Sequence, residues 1–145
     1  MAESACHDTI IHTVALVSIV DGRLLMVRPR DKKAFYLPGG KIDPGESDVD
    51  ALVRELGEEL AVHTDPAALR YLTDIDTSAY GHGPGVRVRM RCYLGGFQGD
   101  PTPNAEIEEV RYLSPTDYVD LPETAPAVLD LIDELRSRHL IGTPS

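Results

Sequence analysis

One apolar stripe in residues 47–62 constrains the fold of this chain more than any other sequence feature. Apolar residues recur there at intervals of three and four, the period of an α-helix: Val49, Leu52, Val53, Leu56 and Leu60. Ser47 is a suitable N-cap, and Asp48 and Asp50 are favourable in the first turn. A helix with one apolar face must bury that face against another layer. The sequence therefore predicts a helix over 47–62 that packs on a sheet.

The segments around this helix have the composition of β-strands. Two apolar, β-branched runs in residues 9–29 are separated by Asp21-Gly22, a dipeptide typical of hairpin turns because both residues tolerate positive φ. A short strand is predicted at 35–37, ending at Pro38-Gly39-Gly40. Further strands are predicted at 69–77, 86–97 and 109–113, with a turn-rich loop at 99–104 between the last two.

A last helix is predicted to begin at Pro122 or Pro126 and to end before Gly142 and Pro144. Its apolar stripe comprises Val128, Leu129, Ile132 and Leu135. No repeat or linker interrupts the order of strands, helix, strands, helix, and 145 residues fit one domain. We therefore expect a single α/β domain over 1–145, with a mixed β-sheet packed between helices.

Charge and hydrophobicity exclude several classes of function. Fourteen Lys and Arg against 24 Asp and Glu give a net charge of −10, which disfavours a protein that grips a nucleic acid polymer or an anionic membrane. The apolar run 14–20 is too short to span a membrane, and no Lys or Arg precedes it as in a secretory signal. Cys6 and Cys92 are too few for a disulfide framework. We expect a soluble, cytoplasmic protein.

The polar face of the first predicted helix carries the chemistry. Glu55, Glu58 and Glu59 lie three and four residues apart and so cluster within about one turn, with Arg54 beside them and Glu46 in the preceding loop. Like charges at this spacing destabilise a helix by about 0.2 to 0.5 kcal/mol each, and a divalent cation would reverse that effect. Oxygen ligands of this kind suit Mg²⁺ or Mn²⁺, which commonly serve displacement at phosphorus.

The spacing of these residues resembles that of a known family. Gly40, five residues, Glu46, seven residues and then the sequence from Arg54 to Val62 are similar to the Nudix box, G-x5-E-x7-R-E-U-x-E-E-x-G-U, where U is aliphatic. Among the defined positions only Ala61 departs, because it replaces a glycine. The family's glycine caps the helix in a left-handed conformation that Ala adopts at a cost of about 1 kcal/mol. The segment GGKIDPGE is especially similar to the MutT branch.

The resemblance implies a Nudix-type α/β/α sandwich that hydrolyses a nucleoside diphosphate linked to another group, with a divalent metal as cofactor. By position, it implies metal ligation by Glu55, Glu58 and Glu59, one of which is able to act as general base. Arg54 would orient these carboxylates through a salt bridge. It further implies that Gly39 offers its carbonyl, that Glu46 supports the loop or an outer metal, and that a later loop supplies another acid. Glu106 is our candidate for that acid, with Glu108 and Glu109 as competitors.

Three further residues are candidates for substrate binding: Arg28, Arg89 and Tyr80. Arg89 alternates with apolar residues in the strand 86–97 and belongs either to a phosphate-binding wall or to an ordinary polar strand face. Arg28 opens a basic loop, with Arg30, Lys32 and Lys33, that either meets a polyphosphate or is simply solvated. Tyr80 lies about where some dinucleoside-polyphosphate hydrolases of the family place a tyrosine.

The preferred hypothesis is a metal-dependent pyrophosphohydrolase acting on a nucleoside triphosphate or a modified form of one. ADP-ribose and dinucleoside polyphosphates share the same diphosphate chemistry and remain alternative substrates. A different class of function is a Nudix-like sensor domain that binds a nucleotide without cleaving it, and another is an acidic helix surface that docks a basic protein. A homodimer is possible through an edge strand or the amino-terminal hairpin.

Overall fold

Two β-sheets and three helices make up the described part of the chain. The structure, a computed structural model, describes residues 9–78 and 85–141. In chain order the elements are β1 (Thr9–Val17), β2 (Ile19–Val20), β3 (Arg23–Pro29), β4 (Gly39–Lys41), α1 (Asp48–Leu60), β5 (Arg70–Ser78), β6 (Val86–Leu94), β7 (Ile107–Leu113), α2 (Pro115–Val119) and α3 (Pro126–Ser137). A turn of 3₁₀ helix, Pro66–Ala68, connects α1 to β5. No helix in the described ranges is long and apolar enough to cross a membrane.

The predicted sheet divides into two. A four-stranded sheet has the order β4-β1-β6-β5 and is mixed, because β1 runs parallel to β6 and antiparallel to β4. A three-stranded antiparallel sheet has the order β2-β3-β7. The apolar run that begins at Thr9 leaves the first sheet at Ser18, so only Ile19 and Val20 form the predicted hairpin with β3. The turn at Asp21-Gly22 has positive φ at both residues, as the dipeptide predicts.

Helices cover opposite faces of these sheets. Since neighbouring residues of a strand point to opposite faces, Val14 and Leu16 of β1 pack against α1, whereas Ala15 and Val17 pack against α3. The same alternation in β3 places Leu25 on the side of α1. The residues before and after it lie on the side of α3. Each fully buried leucine or valine contributes about 1.5 to 3 kcal/mol to folding. The layers therefore have the predicted α/β/α order, with one apolar core on each side of the strands.

The prediction of a strand at 35–37 that ends at the glycines is wrong. Tyr36 forms one isolated bridge to Val27, and the strand lies at Gly39–Lys41 instead. A Cβ atom at Gly39 would overlap the carbonyl oxygen of Val14, so β4 approaches β1 this closely only because glycine has no side chain. Here the glycines form the strand that they were expected to end.

Both ends of α1 agree with the sequence. The Ser47 hydroxyl accepts a hydrogen bond from the amide of Asp50 at 3.1 Å. Ala61 takes the left-handed conformation, φ 56°, and its amide donates to the Gly57 carbonyl at 3.1 Å. Alanine therefore takes the left-handed capping conformation that the resemblance implies for glycine.

Other predicted boundaries are only partly correct. β6 ends at Leu94 and not at residue 97, and β7 begins at Ile107 and not at residue 109, whereas α3 begins at Pro126, one of the two predicted prolines. The short helix α2 was not predicted, although Ser114 caps it by accepting a hydrogen bond from the amide of Asp117 at 3.1 Å. The expected stop signals Gly142 and Pro144 lie outside the described residues.

Candidate functional site

Arg54 of α1 organises the polar face of the helix. Its Nε and Nη2 atoms donate to the two carboxylate oxygens of Glu46 at 2.7 and 3.0 Å, a bidentate pairing. Glu46 in turn accepts a hydrogen bond from the amide of Asp43 at 3.0 Å. The Arg54 guanidinium holds the pKa of Glu46 at about 2. Glu46 thus remains ionised and fixes the loop between β4 and α1.

The remaining donors of Arg54 face the other glutamates of the helix. Its Nη1 atom lies 3.1 Å from a carboxylate oxygen of Glu55 and 3.4 Å from one of Glu58, and Nη2 donates to the Lys41 carbonyl at 3.2 Å. One guanidinium therefore contacts three of the glutamates that the sequence placed in the site. The arrangement matches the orienting role expected for Arg54.

Glu55 lies against a glycine. A Cβ atom at Gly40 would come within 2.5 Å of the Glu55 carboxylate, so any other residue at position 40 would displace that carboxylate. Burial raises the pKa of Glu55, and the hydrogen bond from Arg54 opposes this increase. The box glycine at position 40 thus serves close packing of a carboxylate.

Glu59 is the most enclosed carboxylate of the site, with 6% of the residue exposed. One of its carboxylate oxygens accepts a hydrogen bond from the amide of Gly39 at 3.0 Å. Burial raises the pKa of Glu59 to about 8, the Gly39 amide opposes the increase, and the charges of Glu55, Glu106 and Glu58 add to it. Without a cation, Glu59 is therefore largely protonated at neutral pH.

Glu106, the candidate for the later-loop acid, acts electrostatically on the glutamates of the helix. Glu106 raises the pKa of both Glu55 and Glu59, so it lies within electrostatic range of them. The competing candidates are engaged elsewhere, since Glu108 pairs with Arg30 at 3.4 Å and Glu109 with Arg28 at 3.2 Å. We refer to Glu55, Glu58, Glu59 and Glu106 as the carboxylate cluster.

The carboxylate cluster has the donor chemistry of a magnesium or manganese site. Its oxygen ligands and surplus negative charge suit a hard divalent cation. In residues 9–78 and 85–141, however, no three acidic, histidine or cysteine side chains already converge on one point as metal ligands do. Arg54 and the Gly39 amide hold the individual carboxylates instead. The carboxylate cluster fits a divalent cation in the type of its ligand atoms and in its negative charge.

An apolar cleft of about 290 Å³ adjoins the carboxylate cluster. Glu59 and the two glycines Gly39 and Gly40 lie among its walls. Most of its other walls are apolar and come from distant segments of the chain: Val27, Tyr36, Leu37, Val88, Met90 and Ala127. Sequence reasoning missed these residues, because no local spacing signals that four separate segments meet. Lys32, which the sequence placed in a basic loop, also lines the cleft.

The three candidate substrate-binding residues fall in different places. Arg28 donates to Glu109 and to the Lys32 carbonyl and does not line the apolar cleft. Arg89 points to the face of β6 opposite Val88 and Met90, and it lines a separate groove. Tyr80 lies outside the described residues.

Arg89 belongs to a row that we refer to as the arginine ladder, Arg87, Arg89 and Arg91. Each member has an aspartate partner. Arg87 and Arg89 pair with Asp76 at 2.8 and 3.2 Å, and Arg91 pairs with Asp48 at 2.7 Å. The predicted alternation of β6 is confirmed, since Met90 and Cys92 are buried on its other face.

Comparison with known proteins gives one family. The model of the NUDIX domain matches residues 10–135. The chain is 33% identical over 90 residues to the uncharacterized Nudix hydrolase orf19 of Rhodococcus erythropolis, covering 57% of this chain and 48% of that protein. A segment of 36 residues is 47% identical to the 8-oxo-dGDP phosphatase NUDT18 of Homo sapiens, covering 25% of this chain and 11% of the human protein. The chain thus spans about half or less of the length of these relatives.

A solved structure shares the fold. The MutT NUDIX hydrolase from Burkholderia pseudomallei aligns with a TM-score of 0.73 and 22% identity, over 88% of this chain and 99% of that one. The family match extends well beyond the box in α1 and covers most of the strands and helices described above. The chain therefore belongs to the Nudix family.

Proposed function

We propose that this protein is a pyrophosphohydrolase that cleaves a diphosphate linkage in a nucleotide, with Mg²⁺ or Mn²⁺ as cofactor. The observation that carries the proposal is the position of Glu59, which belongs both to the carboxylate cluster and to the wall of the apolar cleft. Small-molecule sites are typically concave and mostly apolar, with a few polar groups that fix the ligand's orientation. A nucleoside in the cleft would bring its phosphate chain to the carboxylates.

The preferred substrate is a nucleoside triphosphate or a modified form of one. The similarity of a 36-residue segment to the human 8-oxo-dGDP phosphatase supports a nucleotide substrate of this kind. ADP-ribose and dinucleoside polyphosphates have the same linkage and serve as the comparison substrates in the test. The alternative without catalysis is a sensor domain that binds a nucleotide and does not cleave it. Such a domain has no need for a surplus of carboxylates.

The reaction is hydrolysis at phosphorus. The oxygen of a water molecule bonds to one phosphorus, the bond from that phosphorus to the bridging oxygen breaks, and the bridging oxygen leaves with the second phosphate group. A bound divalent cation would neutralise phosphate charge and lower the pKa of the attacking water. A glutamate of the carboxylate cluster takes the proton that the water loses.

The chain's own groups prepare this step. Arg54 holds Glu55 and Glu58 on one side of the helix, so neither must be ordered when the substrate arrives. The Gly39 amide orients Glu59 at the boundary of the apolar cleft. The apolar walls hold the nucleoside and exclude water from that side of the reacting phosphates.

The test is product analysis over a panel of nucleotides: dGTP, 8-oxo-dGTP, 8-oxo-dGDP, ADP-ribose and diadenosine tetraphosphate. Each is incubated with Mg²⁺, with Mn²⁺ and with chelator, and products are identified by mass. Metal-dependent release of monophosphate and pyrophosphate from a triphosphate supports the proposal. Cleavage confined to ADP-ribose would move the protein to that substrate class. Binding without turnover across the panel would overturn the enzymatic function and favour the sensor.

A further inference from the structure

Lys32 occupies a distinctive position in the apolar cleft. Among the described residues that line the cleft, it is the one cation, and Glu59 is the one anion. Its ammonium group forms no ion pair with any other described residue. Lysine is a compact point charge on a flexible stem. Such a side chain is well suited to follow a mobile phosphate chain.

Three arginines close to the site already have partners. Arg54 is engaged by Glu46, Glu55 and Glu58. Arg28 pairs with Glu109 and Arg30 with Glu108. A polyphosphate that approaches the carboxylate cluster would be repelled by its negative charge unless a positive charge compensates. Lys32 is placed to supply that charge from the chain itself.

The backbone of Lys32 is held from two sides. Its amide donates to the Pro29 carbonyl at 3.0 Å, which closes a turn at the end of β3. Its carbonyl accepts a hydrogen bond from Nη1 of Arg28 at 3.1 Å. Arg28 is fixed in turn by Glu109, whose second oxygen accepts from Nε of Arg111 at 2.6 Å. Glu109 and Arg111 belong to β7, so the sheet holds this loop.

We propose that Lys32 binds the phosphate chain of the substrate at the apolar cleft, and that Arg28 is a positioning residue that holds Lys32 there through its backbone carbonyl. The proposal rests on the proposed function, since it assigns a specificity residue to the same site. It also gives a role to Arg28, which does not line the cleft itself.

The first test is a matched pair of charge deletions. Lys33 is exposed, adjacent in sequence and absent from the cleft wall, so Lys33→Ala removes the same charge without touching the site. We expect Lys32→Ala to raise KM about 10- to 100-fold with a small change in kcat, the range for a hydrogen bond to a charged group. Lys33→Ala should leave both constants within about twofold, and Lys32→Arg should restore part of the lost affinity. Equal effects of the two alanine variants would overturn the proposal.

The second test is a double-mutant cycle for Arg28. Arg28→Ala should raise KM in the wild-type background and have little further effect in the Lys32→Ala background, because its influence passes through Lys32. A purely structural role would change KM equally in both backgrounds. That result would overturn the positioning role of Arg28.

Binding separates this proposal from the proposed function. The Kd of the α,β-imido analogue of dGTP, measured by calorimetry with Mg²⁺, needs no turnover. Weaker binding by Lys32→Ala than by Lys33→Ala supports the role of Lys32 even if the wild-type protein cleaves no substrate, in which case only the enzymatic function fails. Equal Kd values in wild type and Lys32→Ala would overturn the role of Lys32 while leaving the enzymatic function intact.

Discussion

The carboxylate cluster and the arginine ladder are both dense groups of charges, and they differ in balance. In the cluster, four glutamates lie close together, and Arg54, the guanidinium that contacts two of them, is shared with Glu46. In the ladder, each arginine meets an aspartate of β5 or α1: Asp76, Asp74 or Asp48. The cluster keeps a surplus of negative charge, whereas the ladder nearly neutralises itself.

The difference in net charge distinguishes a candidate functional site from an ordinary charged surface. Exposed, balanced ion pairs contribute little to stability and leave no charge for a ligand. A surplus of buried or half-buried carboxylates raises their pKa values, and pKa shifts of this kind cluster at functional sites. The balance of charges, more than their density, therefore distinguishes the proposed cation and substrate site from an ordinary charged surface.

The largest expected effect follows from removing one charge of the cluster. Glu58→Gln keeps the shape of the side chain and should reduce kcat by about 10² to 10⁴, the range for a positioned acid or base. The matched control is Asp76→Asn, the same chemical change in the ladder, which should leave kcat nearly unchanged. Metal-dependent turnover of the best panel substrate measures both. Near-normal turnover by Glu58→Gln would contradict a catalytic role for the carboxylate cluster and leave it no different from the arginine ladder.

The next effect concerns the pH dependence of stability without metal. Burial raises the pKa of Glu59 from 4.5 to about 8 in the folded chain, so folding takes up a proton between these values. The stabilisation from protonated Glu59 is complete below pH 4.5 and is lost as pH rises through about 8. Its size is on the order of a few kcal/mol.

Urea unfolding in the presence of chelator at pH 5, 6.5 and 8 measures this effect. The free energy of unfolding of the wild type should fall over this range relative to that of Glu59→Gln, which has no proton to lose. The ladder offers the comparison, since Asp76→Asn should follow the wild-type curve. Parallel curves for wild type and Glu59→Gln would contradict the buried, proton-binding state of Glu59.

A smaller effect is expected at the helix end beside the cluster. Ala61→Gly relieves the left-handed strain of the cap and should stabilise the protein by about 1 kcal/mol. Turnover should stay at the wild-type level, because the carboxylates are held by Arg54 and Gly39 and not by the cap. Thermal unfolding and a rate assay measure the two expectations. A stabilised but inactive variant would show that the cluster depends on the strained cap.

The smallest effect is expected in the arginine ladder. Arg89→Ala should leave kcat/KM within about twofold and Tm nearly unchanged, because its partner Asp76 is exposed and retains Arg87. Steady-state kinetics on the same substrate measure the change. A large increase in KM would return Arg89 to the substrate-binding residues that its sequence pattern suggested.

The helix, its caps and the family could be predicted because their signals are local. The box residues from Gly40 to Val62 carry their spacing in the sequence, and the apolar period of α1 fixes which face holds the glutamates. The sequence named Glu106 among three acids within four residues, and the ion pairs of Glu108 and Glu109 in the structure are what separate it from these competitors.

The apolar cleft could not be predicted for a different reason. Lys32, Tyr36, Met90 and Ala127 meet through tertiary packing, and nothing in their own neighbourhoods indicates a common wall. The misplaced strand at 35–37 has a related cause. Aromatic residues favour strands in general, but the close approach of β4 to β1 admits only glycine, and that requirement appears only once the two strands are brought together.

The parallel pairing of β1 with β6 also has a consequence for how the chain folds. Thr9 pairs with Val86 and Val17 with Leu94, so one central contact of the four-stranded sheet joins the two halves of the sequence. Contacts of such long sequence separation form slowly, because a large loop must close before any of them is made. β5 and β6 are neighbours along the chain and pair antiparallel, so they are able to form first. On a ribosome, β1 must wait for most of the protein to be synthesised before it acquires this partner.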